Sequence, residues 1–136
     1  MMSKTHPIVQ KMLETDTMTK WLQAEVIESK EGYCKLTMTV RPEMVNGFKI
    51  AHGGISFSLA DSAIAFSANA LGRHSVSLQT SIRHLKPVFS GDIITAEASV
   101  VSSSHRTISV DAFVVNQNGE KVADLKATGY RKSDEW

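Results

Sequence analysis

The chain has 136 residues, of which 42% are hydrophobic and 21% are charged, the composition of one ordinary globular domain. Fifteen Lys and Arg residues stand against fourteen Asp and Glu residues, so the formal net charge is +1. Because no run of five basic residues occurs, we expect no broad contact with nucleic acid or an anionic membrane. No stretch reaches the roughly 20 apolar residues of a membrane span. The single cysteine, Cys34, and the absence of a signal segment predict one cytoplasmic domain over residues 1–136.

The first forty residues predict short helices followed by a hairpin. Apolar residues in 7–22 recur at helical spacings, with a break at Thr15-Asp16-Thr17, so we expect one or two short helices. From residue 24 the spacing changes to strand alternation around a Glu31-Gly32 turn. We expect a hairpin with one buried face, on which Cys34 packs rather than reacts.

The remainder predicts one buried helix and four further strands. Residues 41–51 are typical of a loop, and apolar or small side chains cover almost every face of a helix over 55–71. Strand patterns follow over 76–85, 93–101, 107–115 and 121–130, the last two joined by a hairpin turn at 116–119. One antiparallel sheet must therefore wrap a long central helix, an α+β fold with short N-terminal helices.

Asp61 is the most informative residue. It lies in the second turn of the predicted helix, where burying an ionised carboxylate is costly unless partners compensate. Three interpretations are open: an exposed stripe with Ser58 and Ser62, a buried hydrogen-bond anchor, or a general base or nucleophile. The last interpretation depends on partial burial, which shifts carboxylate pKa values towards catalytic use.

The His52-Gly53-Gly54 segment directly precedes this helix. It is either a turn that admits the chain to the helix or a site at which the first helical amides donate to a carbonyl or oxyanion. Asp61 lies about 10 Å along the helix axis from these amides. One acyl group could span that distance, or a partner subunit could bring the two ends into one pocket.

Other kinds of site are not predicted. The five histidines are dispersed and form no zinc signature, and Gly54 to Ser58 lacks the second glycine of a nucleophile elbow. No phosphate loop or dinucleotide fingerprint occurs, so we expect neither metal nor cofactor. Trp136 is expected to be disordered or to lie in an interface.

Two motifs resemble a known family. The first comprises Asn46-Gly47, Ala51-His52-Gly53-Gly54, Phe57-Ser58-Leu59-Ala60-Asp61 and Ala63, and the second comprises Leu85-Lys86-Pro87 and Gly91-Asp92. In these motifs, across residues 20–130 or so, the chain resembles the hotdog-fold acyl-CoA thioesterases of the phenylacetate-degradation (PaaI) type. The resemblance implies a hotdog fold, and protomers that join their sheets edge to edge into a dimer or a dimer of dimers, with each active site at the dimer interface.

The resemblance also implies catalytic roles. Asp61 matches the catalytic carboxylate, as general base for water or as nucleophile, and the amide of Gly53, together with that of Gly54, matches the group that polarises the thioester carbonyl. A preorganised N–H at a helix start stabilises the negative charge that develops on that carbonyl. Asn46 and His52 match residues that orient the carbonyl or the water from the neighbouring protomer. Ser77 matches a hydroxyl position that helps to place the water.

Coenzyme A would enter as part of the substrate and not as a cofactor. Its 3′-phosphate and pyrophosphate need surface cations, and basic residues near strand ends are the candidates: Arg83, His84, Lys86, His105 and Arg106. For each of them, a solvated strand-end charge is the alternative. The expected partners are an acyl-CoA and further copies of this chain.

The implied function is hydrolysis of an aryl-acetyl or short-to-medium acyl-CoA to the free acid and CoA. A hotdog dehydratase or hydratase, which would pair a catalytic histidine with the aspartate, is one alternative. A non-catalytic acyl-CoA-binding module is another, because a fold does not guarantee a function.

Overall fold

The structure, a computed structural model, describes residues 4–136 as one antiparallel sheet with a long helix against it. The helices are α1 (Pro7–Leu13), α2 (Thr17–Leu22) and α3 (Gly53–Asn69), with a 3-10 turn at Pro42–Met44. The strands are β1 (Glu25–Lys30), β2 (Tyr33–Thr39), β3 (Arg73–His84), β4 (Ile93–Ser103), β5 (Thr107–Val115) and β6 (Lys121–Glu135). Their order in the sheet is β1-β2-β4-β5-β6-β3. Of the helices in this part of the chain, none combines the length and apolar character needed to cross a bilayer.

Helix α3 is the centre of the core, as its apolar pattern predicts. Leu59, Ala60 and Ala63 are fully buried, and the sheet contacts the helix through all of its strands. Cys34 is also fully buried, and this burial raises the pKa of its thiol to about 12. The prediction that Cys34 packs in the core is thus confirmed.

The predicted break between the two N-terminal helices is the start of α2. The Asp16 carboxylate accepts hydrogen bonds from the Thr19 amide at 2.9 Å and the Thr19 hydroxyl at 2.8 Å, which caps the helix. The Thr19 hydroxyl also lies 3.3 Å from the Ser62 hydroxyl on α3. This contact joins the N-terminal helices to the helix that carries Asp61.

The C-terminal end departs from the predictions. Strand β6 continues five residues beyond the predicted end, and β3 begins three residues earlier than predicted, with Arg73 opposite Glu135. Trp136 is ordered, so the expectation of disorder is wrong, while its place in an interface stays a prediction. Its ring stacks on His74 with centroids 4.0 Å apart, and its indole N–H donates to Asn69 Oδ1 at 3.0 Å.

Both polar atoms of the Asn69 carboxamide are hydrogen-bonded at the C-terminal end of α3. Its Nδ2 donates to the Ala65 and Ser75 carbonyls at 2.8 and 3.2 Å, and its Oδ1 accepts from the Ser75 amide at 3.0 Å and from Trp136. The residue is only 3% exposed. It therefore holds the end of the helix, the start of β3 and the C-terminal residue together.

Replacing Asn69 by leucine is expected to lower the free energy of unfolding by about 2 kcal/mol, because two partly buried N–H donors lose their acceptor. Urea denaturation followed by circular dichroism measures this change. Trp136→Phe, which removes only one of these donors, should cost less than half as much. Equal stability of Asn69→Leu and the parent would contradict this account of the C-terminal contacts.

Strand β3 is an unpaired edge within the described residues. It is twelve residues long and pairs only with β6, while β1 at the other edge has six residues. Two apolar side chains project from it, Val76 at 52% and Leu78 at 63% exposure. A long apolar edge with free backbone groups is a template for pairing with another chain.

Candidate active site

The first turn of α3 offers one free amide. His52 is the N-cap residue, and its Nδ1 accepts a hydrogen bond from the Gly54 amide at 3.0 Å, while its carbonyl accepts one from the Ile55 amide at 2.9 Å. The role predicted for the Gly54 amide is therefore not available in this geometry. Within residues 4–136, the Gly53 N–H donates to no acceptor, and it lies at the positive end of the helix dipole.

Two imidazole rings lie close to the two glycines that follow His52. A Cβ atom on Gly53 would lie 3.1 Å from His84 Nε2, and one on Gly54 would lie 3.2 Å from His52 Nδ1. A cavity of about 300 Å³ adjoins Gly53, and Ser56, His84 and Lys86 contribute its polar walls. Small residues at the helix start thus bring two histidines close to the free amide.

Asn46 uses its side-chain oxygen to fold its own loop. Its Oδ1 accepts hydrogen bonds from the amides of Phe48 at 2.9 Å and Ile50 at 3.2 Å. Its backbone amide donates to the Ile50 carbonyl at 2.8 Å. The Nδ2 group consequently remains as the part of Asn46 that can donate to a substrate or a water.

Asp61 is half-buried between two cavities. One, of about 280 Å³, lies against the inner face of the sheet, and the other, of about 250 Å³, lies beneath the N-terminal helices. The carboxylate accepts no hydrogen bond from any of residues 4–136, which removes the hydrogen-bond anchor from the three interpretations. Burial raises the pKa of the Asp61 carboxyl above its usual range.

Ser77 shares the larger of these cavities with Asp61. The serine is paired with Gly129 on β6, and its side chain is exposed on the edge strand. A hydroxyl and a carboxylate thus face the same space. Neither cavity at Asp61 includes Gly53, Asn46 or His52, so the predicted site residues fall into two separate groups within one chain.

The basic residues predicted to contact phosphates fall into different environments. Arg83 makes a two-pronged ion pair with Asp124, at 2.9 and 2.6 Å, which lowers the pKa of that carboxyl, and Lys86 pairs with Glu120. These charges are already compensated, and the pairs are exposed, so they contribute little to stability. His84 is exposed as well, but its ring lies against Gly53 at the start of α3.

A cationic cluster surrounds the turn between β4 and β5. Arg106 donates to the Ser133 hydroxyl at 3.0 Å, Arg131 donates to the Ser104 carbonyl at 2.8 Å, and Arg73 donates to the His105 carbonyl. Burial and the neighbouring Arg73 lower the pKa of Arg131. None of these arginines has a carboxylate partner among residues 4–136.

Arg73 and Arg131 were not predicted as candidates. Both belong to the strand extensions that carry no apolar alternation, so no signal in the sequence relates them to the turn.

Within the described part of the chain, no three His, Cys, Asp or Glu side chains come together in a way that could hold a metal ion.

Comparisons with known proteins show what this chain is similar to. The chain matches the family model of the thioesterase superfamily over residues 48–123. It is 38% identical to acyl-coenzyme A thioesterase PaaI of Escherichia coli strain K12, over 88% of this chain and 86% of that protein. The structure of the E. coli PaaI protein from the phenylacetic acid degradation operon has a TM-score of 0.93 and 35% identity, covering 98% of this chain and 99% of that one. A Streptococcus mutans protein bound to acetyl-CoA has a TM-score of 0.80 and 27% identity, covering 83% and 91%.

Proposed function

This chain belongs to the thioesterase superfamily and is a thioester hydrolase of the acyl-CoA type with a hotdog fold, and we propose that Asp61 of one copy and Gly53 of a second copy perform its reaction. The observation that carries the proposal is a complementary pair of unsatisfied groups. A half-buried carboxylate has no hydrogen-bond donor, and a helix-start amide has no acceptor. A thioester and a water molecule would satisfy both.

The reaction follows from these two groups. The Gly53 N–H donates to the thioester carbonyl oxygen, on which negative charge develops during attack. Asp61 removes a proton from the attacking water, or attacks the carbonyl carbon itself to give an acyl-enzyme that water then hydrolyses. The C–S bond breaks with its electron pair on sulfur, and CoA leaves as a thiolate. Because a thiolate is a good leaving group, the site needs no strong general acid.

Three further side chains support this chemistry. The Nδ2 group of Asn46 is free to donate to the carbonyl or to the water. Since His52 Nδ1 accepts from Gly54, the hydrogen of a neutral His52 ring is on Nε2, which can donate to the same atoms. The Ser77 hydroxyl lines the same cavity as Asp61 and would help to hold the water.

A twofold dimer would join the two groups of residues. If two copies pair along their β3 edges, the twofold axis makes the two strands antiparallel. The C-terminal end of one β3, at His84, would then lie beside the N-terminal half of the other, which holds Ser77. The Gly53 amide of one copy would approach the Asp61 cavity of its partner. Pairing would also cover Val76 and Leu78, the two exposed apolar side chains of the edge.

The walls of the smaller Asp61 cavity support an aryl-acetyl substrate, such as phenylacetyl- or hydroxyphenylacetyl-CoA, and short-to-medium acyl groups as the wider range. Its apolar lining consists of Met12, Met18, Phe57, Ala65 and Phe66. Methionine and phenylalanine side chains make favourable contacts with an aromatic ring. For the CoA phosphates we propose the turn between β4 and β5, where Arg106, Arg73 and Arg131 have no carboxylate partners.

Thiol release from a panel of acyl-CoAs tests the proposal, with Asp61→Ala as the control. Turnover that is highest for phenylacetyl-type substrates and lost in the variant is the expected result. Unsaturated acyl-CoA formation without thiol release would indicate a dehydratase. Tight acyl-CoA binding without turnover of any substrate would indicate a binding module, and either outcome would overturn hydrolysis.

A further inference from the structure

The imidazole of His84 is the side chain closest to the Gly53 position. His84 is the last residue of β3 and pairs with the buried Ala123, so its side chain lies on the inner face of the sheet, over the start of α3. A Cβ atom on Gly53 would lie 3.1 Å from its Nε2 and 3.2 Å from its Cε1. The Nε2 and Cε1 atoms of the ring are thus the part of His84 nearest to Gly53.

The ring has hydrogen-bonding capacity that the chain does not use. Neither Nδ1 nor Nε2 of His84 bonds to any of residues 4–136. The cavity beside it has mostly apolar walls, from Ile50, Ala51, Leu85, Pro87 and Val88. Because His84 is exposed, its two unpaired ring nitrogens are open to a substrate that enters this cavity.

We propose that His84 is a second hydrogen-bond donor of the carbonyl-binding site, with its Nε2–H and the Gly53 N–H directed at the same thioester oxygen. A carbonyl oxygen has two lone pairs and accepts two such bonds. The inference rests on the proposed function, and it gives His84 a catalytic role in place of the predicted contact with a CoA phosphate. No proton is transferred by His84, which donates a hydrogen bond that strengthens as charge develops on the oxygen.

The geometry explains why a histidine suits this position. The ring reaches across from the sheet to the helix, whereas the Gly53 amide comes from the helix itself. Two donors held by different elements fix the oxygen in both position and direction, and preorganised donors need no rearrangement during the reaction. A side chain at position 53 would meet the ring at 3.1 Å and shift it slightly, so glycine lets His84 lie this close to the amide.

Two substitutions separate donation from packing. His84→Phe keeps an aromatic ring against Gly53 but has no donor, and it should lower kcat for phenylacetyl-CoA by about 10²-fold with KM changed less than about threefold. His84→Gln retains an N–H donor and should recover most of this loss. Ser81→Ala, on the outer face of the same strand, is the matched control and should behave as the parent.

Three outcomes overturn the proposal. An active His84→Phe variant with the kcat of the parent shows that the ring does not donate to the transition state. Equal losses in the Phe and Gln variants, or a loss in KM alone, indicate a packing or binding role. If the parent itself releases no thiol from any acyl-CoA, hydrolysis fails first and the role of His84 fails with it. Melting temperatures within a few degrees of the parent verify that the variants are folded.

Discussion

Replacing Asp61 by asparagine is expected to lower kcat for thioester hydrolysis by about 10²- to 10⁴-fold and to raise the melting temperature at neutral pH. The activity falls because an amide can neither take a proton from water nor attack the carbonyl. The stability rises because the half-buried carboxylate has no hydrogen-bond donor among residues 4–136, and burial disfavours its ionised form. One substitution should thus move activity and stability in opposite directions.

The pH dependence of this stability gain has a defined sign. Burial raises the pKa of Asp61 above its ordinary value, so between the unfolded and folded pKa values the folded protein binds more protons. Stability is therefore lost as pH rises through that window. The difference in melting temperature between Asp61→Asn and the parent should be largest at neutral pH and disappear below about pH 4, where the carboxyl is protonated in both states.

Differential scanning calorimetry at several pH values, together with initial rates of thiol release, measures both effects. Asp111→Asn is the matched control, because this carboxylate lies on the outer face of the sheet beside Lys126. It should change neither quantity appreciably. If Asp61→Asn retained parental kcat, the carboxylate would have no part in the reaction, and a lower melting temperature would show that it has stabilising partners.

Replacing Gly53 by proline is expected to reduce kcat by about 10²- to 10³-fold relative to Gly53→Ala, because proline deletes the amide hydrogen. Position 53 is the first residue of α3, where proline is well accommodated. The backbone of His52, with φ −54° and ψ 137°, is extended and compatible with a following proline. The substitution therefore removes the donor and leaves the helix in place.

Gly53→Ala is the matched control because it adds the same Cβ atom and keeps the N–H. That Cβ would lie 3.1 Å from the exposed ring of His84, which can shift to accommodate it. Comparing the two variants by steady-state kinetics isolates the amide. Equal kcat values for the proline and alanine variants would show that the Gly53 N–H does not bind the carbonyl.

The elements around the site were predictable where hydrophobic periodicity is strong. Apolar or small residues on every face of α3 require a sheet to surround it, and the alternation in β5 and β6 is joined by a clear turn. The extension of β6 to Glu135 gave no such signal. Its residues 131–135 are polar and mostly exposed, so their pairing with β3 involves the backbone and leaves no pattern in the side chains.

The contacts within the site could not be predicted from the sequence in the same way. The motif indicated Asp61 and Gly53, but the sequence did not determine whether the two residues share one pocket. In the structure they line separate cavities, because they lie two turns apart along α3. His84 lies 31 positions after Gly53 in the chain, and only the register of β3 against β6 brings its ring over the helix start. Likewise, the use of the Gly54 amide by His52 depends on a side-chain rotation that spacing does not determine.

Activity in a mixed assembly tests the central claim, that Asp61 and Gly53 act across two copies. Asp61→Asn and Gly53→Pro chains, co-expressed with different affinity tags, are purified sequentially so that each assembly contains both. Each variant alone should be inactive. In a mixed dimer, one site combines an intact Asp61 with an intact Gly53 while the other carries both substitutions, so thiol release should return to about half of the parental kcat. Mixed assemblies as inactive as the separate variants would contradict a site shared between two copies.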